Sequence, residues 1–393
     1  MNILLAHNYY QQAGGEDTCF AAEAKLLRDN GHNVICHTED NKNVGEFNYL
    51  SLSAKAIWNK QSYLEIKNTI RDNKIEIVHF HNTLPLISPA AYYAARSEGA
   101  AVVQTLHNYR LICPSGIMTR NNRVCADCAG KSVTWPAVLH ACYRNDRVAS
   151  AVVTTMLATH KALGTWHKKV DAFIAITEFA RQRLIDGGVS DSLITVKPNF
   201  VDPDPGVSTQ SDGYALFLGR LSPEKGIETM LAAWEKLSPG MTLKVVGDGP
   251  LRDIVKNAAA RNPAIEFVGR VEREQVFALL EKCAFLVFPS EWYETFGLVA
   301  IEAFAKGKPV VASRLGAMAE IIEDHHTGLH FEPGDVQDLA TKIKWAADHA
   351  DEMQAYGRNA RDTYLEKYSA QKNYAALMAI YAAALQHVSA QGI

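Results

Sequence analysis

Arg220 and Lys225 stand five residues apart in the string GRLSPEKG, around a Pro-containing turn. Beside a glycine that ends a β-prone run, two such cations suit a diphosphate. Arginine can bind it bidentately and lysine as a point charge. Two solvated surface cations would show the same spacing. Further on, in PSEWYETFGLVAIEAFAKGKPVVAS, Glu294 and Glu302 lie eight residues apart, with Thr295-Phe296-Gly297-Leu298 between them. A helix opening near Gly297 would turn its free amides toward an anion. It would put Glu294 just ahead of the helix and Glu302 about one and a half turns inside it. Carboxylates accept hydrogen bonds from vicinal hydroxyls, so two Glu flanking a phosphate site fit a sugar on one side and a ribose on the other. Spacing alone equally fits two solvated helix residues.

Weaker signals accompany these strings. Gly14-Gly15 precede a helix expected from Glu16, whose first amides could receive an anion, or they form a simple turn. The first turn lacks G-x-G-x-x-G, and no G-x-x-x-x-G-K-[ST] string is present, so neither common phosphate cradle is available. Gly219, Gly247 and Gly269 each end an apolar run, where glycine lets a ligand approach the carboxyl edge of a sheet or simply makes a tight turn. Cys113, Cys125, Cys128 and Cys142 include a C-x-x-C step. Four thiolates so spaced can close a structural zinc site; the alternatives are four reduced, partly buried thiols, or disulfides, which a reducing cytosol disfavours. From Lys131 to Lys169 six basic residues meet one acid, Asp146. That stretch reads as a basic amphipathic segment for an anionic membrane surface or as an ordinary core-facing helix.

The elements that must position these residues follow a β/α alternation. NILLA from Asn2, NVICHT from Asn33, IEIVHF from Ile75, AVVQTL from Ala101 and AFIAIT from Ala172 alternate with helical segments. Such runs predict parallel strands covered on both faces. Asp202–Gly213 (DPDPGVSTQSDG) reads as a linker. The alternation then resumes with YALFLGR, TLKVVGDG, IEFVGR, AFLVFPS and PVVAS. The expected domains are 1–205, with a Cys-containing insert at about 110–145, then 213–372, with a last helix over 373–393. The chain has 393 residues, 40 basic and 43 acidic groups and 48% hydrophobic residues. These values fit a folded α/β protein and argue against a nucleic-acid binder. Residues 1–202 carry a net charge of +3 and the remainder −6. The start has no basic-then-apolar leader, and no apolar run reaches the ~18 residues of a membrane span, so a cytoplasmic enzyme is expected.

Across nearly its whole length the sequence resembles the GT-B-fold retaining glycosyltransferases of group 1, or family 4. The Gly-Gly loop, GRLSPEKG, the Glu294-to-Glu302 motif and KGKPVVAS carry the resemblance. It implies two Rossmann-like doubly wound domains facing across a cleft. It also implies a retaining, metal-independent transfer from a UDP- or GDP-sugar to a saccharide or lipid-linked acceptor, in surface polysaccharide assembly. Arg220 and Lys225 would hold the donor diphosphate, Glu294 the transferred sugar and Glu302 the ribose. The amides of Phe296, Gly297 and Leu298 would hold the distal phosphate. Gly247, Arg270 and Val271 would lie near the base, and His107 near the donor sugar. Three residues separate Ser290 from Glu294 where many relatives have two, which makes Glu291 a rival for Glu294. An epimerase-like enzyme and a non-catalytic sugar-nucleotide-binding subunit are the alternatives. The last helix is expected to pack on the N-terminal domain.

Overall fold

A computed structural model describes residues 1–11, 14–237 and 241–390. The chain divides into two compact units. The first comprises Met1–Met118, Cys125–Pro198 and the chain from Asn373; the second comprises Thr119–Val124 and Asn199–Lys372.

The first unit is built on β1 (Asn2–Tyr9), β2 (Asn33–Asp40), β3 (Ile77–Phe80), β4 (Ala101–Leu106), β7 (Ala172–Ala175) and β8 (Ile194–Val196); the intervening hairpin of β5 (Thr119–Arg120) and β6 (Arg123–Val124) belongs to the second unit. The six strands run parallel in the order β2-β1-β3-β4-β7-β8. Strands β3, β4 and β7 are buried at every position, as expected of a parallel sheet covered on both faces. Ile3, Leu5, Ile77 and Val103 pack against Phe20, Ala24 and Leu27 of helix Gly15–Asp29 and against Leu377, Ile380, Tyr381 and Ala384 of helix Ala370–Ala390.

The second unit repeats the plan with β9 (Tyr214–Leu218), β10 (Leu243–Val246), β11 (Ile265–Gly269), β12 (Cys283–Phe288), β13 (Val310–Ser313) and β14 (Gly328–Phe331), parallel in the order β11-β10-β9-β12-β13-β14. Its core gathers Trp234, Phe285, Phe331, Leu339 and Ile343. Two doubly wound sheets are therefore present, each with six strands. Five per half are visible as apolar runs; the sixth in each, β8 or β14, is a short edge strand.

The Pro- and Gly-rich segment 202–213 is packed rather than loose. Asp204 takes both guanidinium nitrogens of Arg361 at 2.7 Å, Ser208 N–H donates to Lys306 O at 3.1 Å, and Asp212 N–H donates to Lys282 O at 2.8 Å. Satisfied backbone groups and a bidentate ion pair anchor it in the second unit, so the change of unit falls at Pro198/Asn199. In the basic stretch, helix Arg147–Ala162 turns Val153, Met156 and Leu157 into the first unit. Its apolar face is thus used by the core, while Trp135, Leu139 and Val148 remain exposed. No helix among the described residues is long and apolar enough to cross a membrane.

Candidate active site

In the second sheet β11, β10, β9 and β12 are neighbours, so the segments leaving their carboxyl ends share one edge. Gly219 N–H donates to Val246 O at 3.1 Å and Gly247 N–H to Gly269 O at 2.9 Å. Gly247 has φ 145°, and a Cβ there would stand 1.8 Å from Gly219 O. Close approach of two strand ends is therefore reason enough for this glycine.

The loop after β9 folds onto the end of β12. Gly226, at φ 67°, lies so close to Pro289 that a Cβ would come 1.8 Å from the Pro289 carbonyl oxygen, and Glu291 N–H donates to Glu224 O at 2.9 Å. These contacts bring Lys225 Nζ to 2.5 Å from Glu294 Oε1, across 69 residues of chain. Glu294 is buried, and the same oxygen accepts from Ser290 Oγ at 2.7 Å. The ammonium also lies 5.2 Å from the Trp292 ring centroid and 5.9 Å from that of Phe288, within cation–π range. Arg220 is exposed at the end of β9. Glu291 turns elsewhere: its Oε1 accepts from Thr229 Oγ1 at 2.5 Å. Of the two carboxylates it is Glu294 that meets the cation.

Helix Leu298–Ala305 begins beside this pair, with Gly297 as its N-cap at φ 109°. Its first amides have no partner inside the helix, as at any helix start. The Phe296 side chain is buried, its ring 6.0 Å from that of Tyr368, so an anion would meet only its backbone. Glu302 is buried within the helix, and burial pushes its carboxyl up to about 7, with Arg273 opposing. Arg270 and Val271 follow β11; Arg270 is exposed and Val271 half-buried. A cation held by a buried carboxylate, open helix amides and a second buried carboxyl can together recognise an anion and hydroxyl groups.

In the first unit His7 on β1, His79 on β3, His81 just after β3 and His107 just after β4 cluster near the carboxyl ends of adjacent strands. His107 Nε2 lies 2.9 Å from His81 Nδ1, and His81 Nε2 lies 3.2 Å from Glu23 Oε1. Gly14 caps helix Gly15–Asp29, but its N–H already donates to Asp17 Oδ2 at 3.0 Å, and Glu16 and Asp17 occupy the first turn. Two acids there oppose an incoming anion, so this turn is less suited to a phosphate than the sequence suggests. Gln12 and Ala13 of the same turn lie outside the described residues.

Cys113, Cys125 and Cys142 all lie close enough to Cys128 to act on its thiol, but the four sulfurs are not drawn tightly together. Among the described residues two sets of three ligand atoms lie within 4.8 Å of one another, Glu23–His79–His81 and His37–Glu39–Glu65; no three of the Cys113, Cys125, Cys128 and Cys142 sulfurs do. Burial pushes the Cys128 thiol up to about 12, and Cys113, Cys142 and Cys125 nearby each add to it. Its Sγ faces Thr134 O at 3.9 Å, and Cys113 Sγ faces Ser115 Oγ at 3.1 Å. A tetrahedral thiolate set needs sulfurs converging on one point, closer than these four stand.

Sequence reasoning missed Ser290, Trp292 and Arg273 in the second unit and Glu23, His81 and Lys197 in the first. The run I-V-H-F-H holds a readable signal, since His79 and His81, two apart, sit in an otherwise apolar strand run. Lys197 offers none.

Two family models match the chain. "Glycosyltransferase Family 4" covers residues 13–205, and "Glycosyl transferases group 1" covers residues 202–363. The glycogen synthase of Mycobacterium tuberculosis is 35% identical over 175 residues, 43% of this chain and 42% of that protein. The phosphatidyl-myo-inositol mannosyltransferase of the same organism is 32% identical over 232 residues, 56% of this chain and 59% of that protein. The chain thus spans about half the length of these relatives. Among solved structures, Anabaena HepE in complex with UDP superposes with a TM-score of 0.68 at 18% identity, covering 96% of this chain and 98% of that one. That likeness is one of fold.

Proposed function

Because the chain belongs to the group 1, family 4 glycosyltransferases, we propose that it moves a sugar from a UDP- or GDP-sugar to a saccharide or lipid-linked saccharide, with retention of anomeric configuration, in surface polysaccharide or glycoconjugate assembly. Arg220 and Lys225 bind the donor diphosphate and take up the charge that develops on it as the glycosidic bond breaks. The amides of Phe296, Gly297 and Leu298 hold the distal phosphate. Glu294 accepts hydrogen bonds from the transferred sugar and Glu302 from the ribose, while Gly219, Gly247, Arg270 and Val271 border the nucleotide. Preorganised charge of this kind lowers the barrier because no reorganisation is needed as the bond breaks. The leaving diphosphate accepts the acceptor's proton, so the step uses neither a dedicated base nor a metal ion. The family resemblance supports a place for His107 near the donor sugar.

One observation carries this reading: Lys225 from the loop after β9 is gathered at one sheet edge with Glu294 and the start of helix Leu298–Ala305, two stretches far apart in sequence. On the acceptor side, a cavity of about 200 Å³ in the first unit is lined by Tyr49, Leu52, Leu84, Val152 and Val153 with Arg144 and Asp146. An apolar pocket beside a cation suits the apolar part of a lipid-linked acceptor. The exposed Trp135, Leu139 and Val148 of the basic stretch support peripheral contact at the inner membrane face.

The test is a thermal-shift screen of UDP-glucose, GDP-mannose and ADP-glucose, followed by anomer-resolved NMR of the product in EDTA. Stabilisation by a UDP- or GDP-sugar and a retained anomer without metal are expected. An inverted anomer, or loss of turnover in EDTA, contradicts the mechanism. Donor conversion without acceptor would make the protein an epimerase-like enzyme, and binding without turnover a non-catalytic subunit.

A further inference from the structure

Behind His107 runs a chain of buried polar groups for which the transfer reaction assigns no task. His107 Nε2 meets His81 Nδ1 at 2.9 Å, and the two rings stack with centroids 5.1 Å apart. His81 Nε2 meets Glu23 Oε1 at 3.2 Å, and Lys197 Nζ meets Glu23 Oε2 at 2.9 Å. Lys197 Nζ also donates to Asn373 Oδ1 at 3.1 Å. A second arm joins the same carboxylate. His79 Nδ1 lies 2.9 Å from Glu23 Oε1 and 2.8 Å from Tyr381 Oη, and its Nε2 lies 2.8 Å from Thr105 Oγ1. His7, paired with Asp17 at 2.7 Å, flanks His81 with ring centroids 6.2 Å apart. Glu23, His79, His81 and Lys197 are all buried.

The proton on each nitrogen follows from its neighbour. Burial would raise the Glu23 carboxyl, but Lys197 and His79 beside it hold it well below the usual range. An ionised carboxylate only accepts, so His81 Nε2 is the donor. Burial brings His81 down to about 4, against the pull of Glu23, and a neutral ring protonated at Nε2 has only a lone pair at Nδ1. His107 Nε2 must then donate to it. Burial, and then the neighbouring His81, hold His107 well below its ordinary value, which leaves a neutral ring with Nδ1 as its acceptor nitrogen.

We propose that Glu23, His81 and Lys197 are positioning residues that fix His107 in one tautomer, protonated at Nε2, and hold its ring at the end of β4. The same logic orients metal-ligating histidines, where a partner of the second ring nitrogen sets the first. Here Lys197 supplies the positive charge. Glu23, His79 and His81 do bring three ligand atoms within 4.8 Å of one another, but a divalent ion would have to share one buried carboxylate with a lysine 2.9 Å away. The inference rests on the reading of His107 as the sugar-facing group, and its test separates the two.

Long-range ¹⁵N NMR of the full chain, with labelled histidine, reads the tautomer directly. The native protein should give the neutral, Nε2-protonated pattern for His107. The double variant Glu23→Gln/Lys197→Met removes both charges together, so no buried ion is left unpaired. In it the His107 signals should move to a mixed or Nδ1-protonated pattern. Release of nucleoside diphosphate from UDP-glucose or GDP-mannose, whichever the protein turns over, should fall about 10–100-fold in kcat, with donor KM within about twofold. His81→Phe is the second variant and should shift the tautomer equally. An unchanged His107 pattern in both variants overturns the proposal. So does a zinc-induced shift of the His79 and His81 resonances in chelator-treated native protein. His107→Ala with full turnover would instead overturn the sugar-facing reading, while the NMR result still decides the tautomer.

Discussion

Glu302 lies in the first turns of a helix that opens beside Lys225 and Glu294, and burial pushes its carboxyl up to about 7 with Arg273 opposing. Below that pH the group is protonated and above it ionised. If the ionised form accepts from the ribose hydroxyls, donor affinity rises as pH rises through 7. The unliganded unit is affected in the opposite sense, because a carboxyl raised above its unfolded value of ~4.3 loses stabilisation as pH climbs toward 7. UDP-glucose suits the measurement, since its diphosphate does not titrate there. Its Kd should weaken several-fold from pH 8 to pH 6, and Glu302→Gln should flatten the curve. A second residue prediction concerns Lys225. Replacing it with Ala removes the cation facing the diphosphate and leaves the buried Glu294 with Ser290 as a partner. Turnover should drop about 10²–10³-fold, and a rate within a few-fold of native would take Lys225 out of the chemistry. Lys225, Glu294 and Glu302 were legible because each stands in a short string whose local geometry gives it meaning. The Glu23–Lys197 pair spans 174 residues, and only the strand order brings its partners together, so no local pattern announces it.

At the level of elements, the loop after β9 is seated on β12 by close backbone contact as well as by the Lys225–Glu294 pair. Gly226 sits at φ 67° with no room for a Cβ against Pro289. In Gly226→Ala the left-handed conformation alone costs about 1–3 kcal/mol, and the collision must also push the loop off β12. Lys225 moves with it. Lower thermal stability and loss of donor binding should therefore appear together in calorimetry and in a nucleotide titration; a destabilised variant with native affinity would show that the loop's seat on β12 does not position the site. The strands flanking this loop were readable because parallel strands buried on both faces are continuous apolar runs. The edge strands β8 and β14, of three and four residues, were not among the runs read. The anchoring of the linker segment 202–213 was not legible for a related reason. Its composition is that of a loop, while Asp204 and Arg361, which pin it, are 157 residues apart. Cysteine spacing brings the four thiols near one another, with Cys113, Cys142 and Cys125 acting on Cys128, but it does not fix how closely the chain draws the sulfurs together.

For the whole molecule, the chain leaves the first unit at Pro198 and returns to it at Asn373. The Asn373 side chain joins these points, donating to Pro198 O at 2.6 Å and accepting from Lys197 Nζ. Beyond it the last helix places Leu377, Ile380, Tyr381, Ala384 and Val388 in the first unit's core. The second unit's core draws on none of these residues. Truncation after Lys372 should therefore act on one unit only. Removing five buried apolar side chains, at roughly 1.5–3 kcal/mol each, exceeds or matches the ~5–15 kcal/mol stability of a typical domain. The first unit should lose its cooperative unfolding transition. The second should keep a transition that still moves upward with UDP, by an amount equivalent to about 2.7 kcal/mol when UDP is at 100 times its Kd. Differential scanning calorimetry of the intact and truncated chains, with and without UDP, tests both halves of the argument. A truncated chain with no UDP-sensitive transition would mean that the nucleotide site depends on the first unit, and the placement of donor recognition wholly on the β9–β12 edge would have to be given up.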